Sequence, residues 1–165
     1  MIRTLLLMRH AKSAYPDGVG DHDRPLAARG VKEAGLAGEW LRSNTGGIDS
    51  VLCSTATRTR ETLARAKITA PARYLDRLYG ATPGTVIDEI NGVDNDVHTL
   101  LLIGHEPAMG QVALGLAGAD GTKRAVTERV SMKFPTSAIA VLQVGEPWRR
   151  LELGGAALIA FHVPR

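Results

Sequence analysis

The 165-residue chain has 44% hydrophobic residues, 22% charged residues and a formal net charge of only +3. These values are typical of a soluble globular protein, and they exclude a fibrous or intrinsically disordered chain. The basic residues are scattered, with no long run and few aromatic residues among them, so nothing in the sequence favours nucleic-acid binding. The length predicts a single domain over residues 1–165.

Cysteine usage and hydropathy indicate where the protein works. Cys53 is the only cysteine, so no intramolecular disulfide can form and a reducing compartment is expected. The apolar run near the N-terminus is too short for a signal peptide, and no stretch is long enough to span a bilayer. The sequence therefore predicts a cytoplasmic protein without a membrane partner.

Apolar runs alternate with amphipathic segments along the chain, which indicates alternating strands and helices. The patterns predict strands at 5–8, 51–53, 72–75, 99–103, 136–144 and 156–163, helices at 31–42, 56–66, 83–90 and 107–116, and a loop at 14–25. This alternation predicts an α/β fold, a three-layer α/β/α sandwich with a mostly parallel central sheet.

Chemically versatile side chains follow three of the predicted strands. Arg9 and His10 end the first, His105 follows the strand at 99–103, and Arg58 comes soon after the strand at 51–53. A single histidine there could simply end a strand. Because the same arrangement recurs, and because ligands bind at the carboxyl ends of parallel strands, it predicts a shared site.

Two arginines and two histidines at one sheet edge suit phosphoryl transfer. The planar guanidinium groups of Arg9 and Arg58 can each hold phosphate oxygens through two hydrogen bonds. A neutral imidazole can attack phosphorus and form a phosphohistidine intermediate that water then cleaves. A second imidazole, when protonated, can donate to the oxygens that carry charge in the transition state.

Three ordered motifs resemble those of the histidine phosphatase superfamily, whose fold is phosphoglycerate mutase-like. Residues 8–13 resemble its Arg-His-Gly/Ala signature, residues 54–62 its Ser-Pro-x-x-Arg-Ala-x-Gln-Thr segment, and residues 103–107 its Val-Gly-His-x-Pro. Two further stretches, 24–26 and 134–140, are similar to the small SixA-type phosphohistidine phosphatases. The resemblance covers nearly the whole chain, although Thr55, Thr59 and Glu61 replace the more usual Pro, Ala and Gln.

The resemblance implies a role for each matching residue. It implies that His10 is the nucleophile and that Arg9, Arg58 and His105 bind the phosphoryl group. No cofactor is expected. It places Lys12 and Ser13 on the substrate-binding side. The expected substrate is a phosphorylated protein, with protein phosphohistidine favoured, or a small phosphorylated molecule. The alternatives are a small-molecule phosphomonoesterase and a non-catalytic phosphate-binding module.

Residues 76–80 resemble the Glu-Arg-His-Tyr-Gly stretch from which mutases of the superfamily take their general acid. Here Asp76 replaces the Glu and Leu78 replaces the His. Asp76 is therefore either the general acid or a surface aspartate. Leu78 and the short segment between Arg58 and His105 disfavour a phosphomutase and predict a shallow cleft.

Two other chemistries have weaker support in the sequence. Asp21, His22 and Asp23 are consecutive, and adjacent side chains seldom converge on one metal ion, so we expect no metal and a solvated loop. Only four residues separate Cys53 from Arg58, one fewer than in the loop of cysteine-dependent phosphatases, and none is glycine. We expect Cys53 to be a small buried hydrophobe.

Overall fold

The computed structural model describes residues 1–165 and contains six strands and five α-helices. The strands are β1 (Arg3–Arg9), β2 (Ser50–Ser54), β3 (Ala72–Leu75), β4 (Thr99–Gly104), β5 (Ile139–Val144) and β6 (Ala156–His162). The helices are α1 (Ala28–Asn44), α2 (Thr57–Ala66), α3 (Pro83–Asn91), α4 (Ala108–Leu116) and α5 (Arg124–Met132). Short 3-10 turns occur at Asp21–Asp23, Asp76–Leu78 and Trp148–Arg150.

The strands form one mixed sheet in the order β3-β2-β4-β1-β5-β6. Strands β1 to β4 are joined by parallel pairings, whereas β5 is antiparallel to both β1 and β6. Five of the six strands consequently run in the same direction. The predicted α/β fold with a mostly parallel sheet is confirmed.

Two separate hydrophobic cores cover the two faces of the sheet. Alternate residues of β1 point to opposite faces, so Leu5 and Leu7 join one core while Leu6 and Met8 join the other. The larger core is completed by α3, α4 and α5, and the smaller one by α1 and α2. Because both faces are buried, the central strands are continuous apolar runs rather than alternating ones.

The three central strands end at the same level, which positions the site. Arg9 of β1 pairs with Gly104 of β4, and Cys53 of β2 pairs with Ile103 of β4. The residue that follows each strand therefore emerges at one edge of the sheet. The predicted convergence of these strand ends follows from this register.

Two element starts and one whole helix differ from the sequence-based prediction. Helix α1 begins at Ala28 rather than at 31, and β5 begins at Ile139 rather than at 136. Ser137 adopts a left-handed conformation with φ of 67° and donates its backbone N–H to the carbonyl oxygens of Arg9 and His10, which turns the chain just before β5. Helix α5 was not predicted because its sequence is mostly polar and only Val130 is buried. None of the helices is long and apolar enough to cross a membrane.

The close packing of α1 on α2 depends on a glycine. A Cβ atom at Gly38 would lie 2.0 Å from the backbone oxygen of Ala66, whereas a Cβ at Gly35 would meet nothing nearer than 4.0 Å. We expect Gly38→Ala to lower the free energy of unfolding by about 2–3 kcal/mol, because the helices must move apart. The matched Gly35→Ala should raise it by about 0.5 kcal/mol through helix propensity. Chemical denaturation of both variants measures this, and equal effects would contradict the packing argument.

Candidate active site

A cleft of about 200 Å³ opens where the central strands end. Its lining comes mainly from the residues after β1, β4 and β2, together with one contribution from the segment before β5. The lining residues are Arg9, His10, Lys12, Ser13, Tyr15, Arg24, Arg58, His105, Glu106 and Thr136. All six residues that the sequence predicted for phosphoryl binding and attack are among them, and Asp76 is not.

His10 is buried and held in a single tautomer. Its Nδ1 lies 2.7 Å from the carbonyl oxygen of Ala11, an atom that can only accept, so Nδ1 carries the proton. Nε2 consequently keeps its lone pair and makes no hydrogen bond within the protein. Burial, with smaller contributions from His105, Arg58 and Arg9, lowers the pKa of His10 to about 3. The imidazole is therefore neutral at physiological pH.

His105 faces His10 across the cleft, with 5.2 Å between the ring centroids. Its Nε2 lies 2.8 Å from Ser54 Oγ, and its buried Nδ1 has no partner. Burial and the neighbouring Arg58 lower the pKa of His105 to about 4. The sequence analysis considered a protonated imidazole here, but the lowered pKa favours the neutral form, because burial and the positive charges of Arg58 and Arg9 oppose protonation.

Arg9 and Arg58 keep buried donors without partners. Arg9 Nη1 donates to the Phe134 carbonyl oxygen at 3.0 Å, and the Nε atoms of both arginines are buried and unpaired. Buried polar groups are nearly always hydrogen-bonded, so two incompletely paired guanidinium groups that both line the cleft favour binding of an anion there. His105 Nδ1 adds a third unpaired atom.

Asp21 holds Arg58 in place, and sequence reasoning missed this contact. The Asp21 backbone oxygen accepts from Arg58 Nη1 at 2.7 Å, and its Oδ2 accepts from Arg58 Nη2 at 3.1 Å. The same carboxylate accepts from the Tyr79 hydroxyl and from Arg24 Nε. The hydrogen bond from Tyr79, followed by those from the arginines, lowers the pKa of Asp21 well below its usual range. Asp21 is therefore ionised and orients Arg58, rather than belonging to a metal site.

Lys12 and the loop at 14–25 contribute further cationic groups to the rim. Arg24 Nη1 donates to Ser13 Oγ at 2.6 Å, and its guanidinium lies 4.1 Å from the centre of the Tyr15 ring. Lys12 Nζ lies 5.7 Å from the same ring. An isolated antiparallel β-bridge between Ser13 and Leu26 closes the base of the loop. Arg24 is thereby fixed by Ser13 and Tyr15 in the lining of the cleft, which Lys12 also joins.

Asp76 lies on the surface, outside the lining of the cleft. Its Oδ1 accepts a hydrogen bond from Thr55 Oγ1 at 2.6 Å, and Thr55 Oγ1 also lies 3.0 Å from His22 Nε2. The aspartate therefore braces the loop that carries Asp21 and His22. Its role as a general acid remains a prediction without support from this geometry.

Two departures from the superfamily pattern have structural roles. Thr59 Oγ1 donates to the backbone oxygens of Ser54 and Ala56, each at 2.8 Å. Glu61 Oε1 accepts from the backbone N–H of Leu26 at 2.8 Å. Both contacts fix the start of α2, and therefore Arg58, against the surrounding loops.

The environment of Cys53 bears on cysteine-dependent catalysis, and the placement of the His, Cys, Asp and Glu side chains bears on metal binding. Cys53 is fully buried, and burial raises the pKa of its thiol to about 12, which makes a reactive thiolate unfavourable. No group of three or more His, Cys, Asp or Glu side chains is placed to hold a metal ion.

An α/β sheet that delivers Arg-His from one central strand and a second His from its neighbour defines a histidine phosphatase site. The family model of the histidine phosphatase superfamily, branch 1, matches residues 5–91. The chain belongs to this superfamily, and the predicted relationship to the SixA-type enzymes is confirmed by the structural comparison below.

Relatives and solved structures agree with this assignment. An uncharacterized protein of Mycobacterium tuberculosis is 65% identical over 158 residues, which cover 96% of this chain and 100% of that protein. The structure assigned as a phosphohistidine phosphatase SixA from Nakamurella multipartitia superposes with a TM-score of 0.91 and 37% identity, covering 99% of this chain and 97% of that one. The protein histidine phosphatase SixA complexed with tungstate superposes with a TM-score of 0.78 and 26% identity, covering 98% and 97%.

The lowered pKa values of the two cleft histidines can be tested directly. A histidine is neutral above its folded pKa, so His10 and His105 should show neutral-imidazole ¹⁵N chemical shifts from about pH 8 to about pH 5, where free histidine titrates. His10→Ala and His105→Ala spectra assign the two rings. A titration midpoint near 6.5 for either ring would contradict the burial argument.

The contact between Asp21 and Arg58 should matter for turnover. Asp21→Asn removes the charge that pairs with Arg58 while keeping the shape, and we expect kcat to fall about tenfold because the guanidinium is less well oriented. Asp23→Asn is the matched control, since Asp23 lies on the same turn and faces only His22, at 3.7 Å. Steady-state kinetics compare the two, and an unchanged kcat in Asp21→Asn would show that Arg58 needs no such support.

Proposed function

We propose that this protein is a phosphatase that transfers a phosphoryl group to His10 and then to water, and that its substrate is phosphohistidine on another protein. The observation that carries the proposal is the state of His10. A neutral, buried imidazole with Nδ1 fixed by Ala11 keeps Nε2 free in a cleft that Arg9 and Arg58 also line. A non-catalytic phosphate-binding module would not need a nucleophile prepared in this way.

The reaction proceeds in two steps on this geometry. In the first, His10 Nε2 forms a bond to phosphorus as the bond to the leaving group breaks. The proton stays on Nδ1, which donates to the Ala11 carbonyl oxygen as positive charge develops on the ring. In the second, water attacks phosphorus, the bond to Nε2 breaks and inorganic phosphate leaves. Arg9, Arg58 and His105 supply hydrogen bonds to the phosphoryl oxygens in both steps. Since these groups carry the charge stabilisation, we expect the reaction to need no metal.

The size of the cleft and the chemistry of the leaving group favour phosphohistidine. A volume of about 200 Å³ is below the range of pockets that enclose a drug-sized ligand. Such a cleft suits a phosphoryl group displayed on a larger surface. The imidazole of a phosphohistidine can leave already protonated, so its departure needs no acid from the enzyme. The similarity to the SixA structures supports the same substrate class.

The cationic rim and the single cysteine support two further parts of the proposal. Lys12 and Arg24 surround the mouth of the cleft, where they would attract the dianionic phosphoryl group. One buried cysteine without a possible disulfide partner fits a cytoplasmic protein.

Rapid-quench labelling tests the proposed function. With a ³²P-phosphohistidine protein as substrate, label should appear on His10 as an acid-labile, base-stable adduct and then as inorganic phosphate. His10→Ala should abolish both, whereas Cys53→Ser should retain most of the turnover because the thiol is buried and protonated. The rate should be the same in EDTA. Label on another residue, or loss of activity in EDTA that a divalent ion restores, would overturn the mechanism.

A further inference from the structure

One carboxylic acid lies in the cleft, and neither the sequence motifs nor the reaction above uses it. Glu106 is the only acidic residue among the ten that line the cleft, and it is half-buried directly after His105. Asp21 is committed to Arg58, and Asp76 is held on the surface by Thr55.

The Glu106 carboxyl has one fixed oxygen and one free oxygen. Oε1 accepts the backbone N–H of Gly110 at 2.6 Å, which holds the side chain at the start of α4. Oε2 accepts no hydrogen bond within the protein. A Cβ atom at position 110 would lie 3.1 Å from Oε2, so the glycine leaves room for the carboxyl group. The side chain is therefore placed by the backbone while one oxygen remains available.

The surroundings of Glu106 favour its protonated form. Burial raises the pKa of the carboxyl group, and the contact with Gly110 and the charge of Arg9 oppose this only in part. Besides Arg9, the other charged or titratable groups lining the cleft are His10 and Lys12 after β1, Tyr15 and Arg24 in the loop at 14–25, Arg58 on α2, and His105 after β4. A bound phosphoryl dianion adds negative charge to the cleft, which disfavours an ionised carboxylate there still further.

We propose that Glu106 is the proton donor to the leaving group, and that the enzyme therefore also hydrolyses alkyl phosphomonoesters. This inference rests on the proposed function, because it uses the same attack by His10. As the phosphorus–oxygen bond of the ester breaks, Glu106 gives its proton to the departing oxygen and an alcohol leaves. In the second step the Glu106 carboxylate takes a proton from the attacking water, and phosphate departs from His10. The second step therefore leaves Glu106 protonated and Nε2 free again.

The test compares leaving groups that differ in their need for a proton. O-phosphoserine releases an alkoxide and requires an acid, whereas p-nitrophenyl phosphate and a phosphohistidine protein release good leaving groups. Glu106→Gln keeps an oxygen that can accept from Gly110 but carries no acidic proton. We expect it to lower kcat/KM for O-phosphoserine about 100-fold and to change the other two substrates by less than about fivefold. Glu128→Gln, the control at an exposed residue of α5, should leave all three within about twofold, and Asp76→Asn should show no selective loss with O-phosphoserine.

The pH dependence provides a second readout that a structural role would not produce. With O-phosphoserine, wild-type kcat/KM should fall as pH rises through the raised pKa of Glu106, because the acid form is lost. Glu106→Gln should lack this limb. Equal losses on all substrates, or a selective loss in Asp76→Asn instead, would overturn the inference.

The outcomes also separate this inference from the proposed function. Wild-type turnover of phosphohistidine with label on His10 but no hydrolysis of O-phosphoserine would overturn the inference alone. No turnover of any of the three substrates and no label on His10 would overturn both.

Discussion

The hydrogen bond between His10 Nδ1 and the Ala11 carbonyl oxygen, 2.7 Å long, determines which ring nitrogen is available for chemistry. A carbonyl oxygen can only accept, so the proton must reside on Nδ1 and the lone pair on Nε2. The surrounding fold preserves this arrangement. Ala11 N donates to Thr62 Oγ1 at 2.9 Å, and the Arg9 and His10 carbonyl oxygens accept from Ser137 N. The backbone just beyond β1 is thus held from α2 and from the segment before β5.

The positive charges gathered at the cleft keep His10 neutral and at the same time favour binding of an anion. Four groups that can be cationic, Arg9, His10, Arg58 and His105, are gathered in one desolvated cleft. Keeping both imidazoles neutral lowers the repulsion among these groups. It also avoids the cost of burying two further charges. The guanidinium groups cannot give up their protons in this way, so their unpaired donors favour binding of an anion. The same crowding of charge therefore prepares the nucleophile and attracts the substrate.

The sequence was sufficient for the parts of this arrangement that depend on strand periodicity. Apolar runs ending in Arg9-His10 and in His105 predicted both the parallel sheet and the edge where these residues converge, since the strand register is set by residues buried on both faces. Contacts made by loops were not predictable. Asp21 lies 37 residues from Arg58, and nothing in its local sequence indicates that pairing. Asp76 matched a family stretch in sequence, but the turn at Asp76–Leu78 directs it to Thr55. The sequence of α5 has no apolar stripe strong enough to predict a helix.

The two carboxyl groups near the arginines show how the fold assigns different states to similar side chains. Asp21 accepts hydrogen bonds from Tyr79, Arg58 and Arg24. Because all three stabilise its anion, the pKa of Asp21 is lowered. Glu106 is desolvated and has a single backbone donor, so its pKa is raised. Pairs of acids whose environments push their pKa values apart commonly take different roles, one as a fixed charge and one as a proton carrier. Here the fixed charge of Asp21, outside the lining of the cleft, orients Arg58. The raised pKa of the carboxyl inside the cleft favours its neutral form, and a neutral carboxyl leaves the positive field of Arg9 intact.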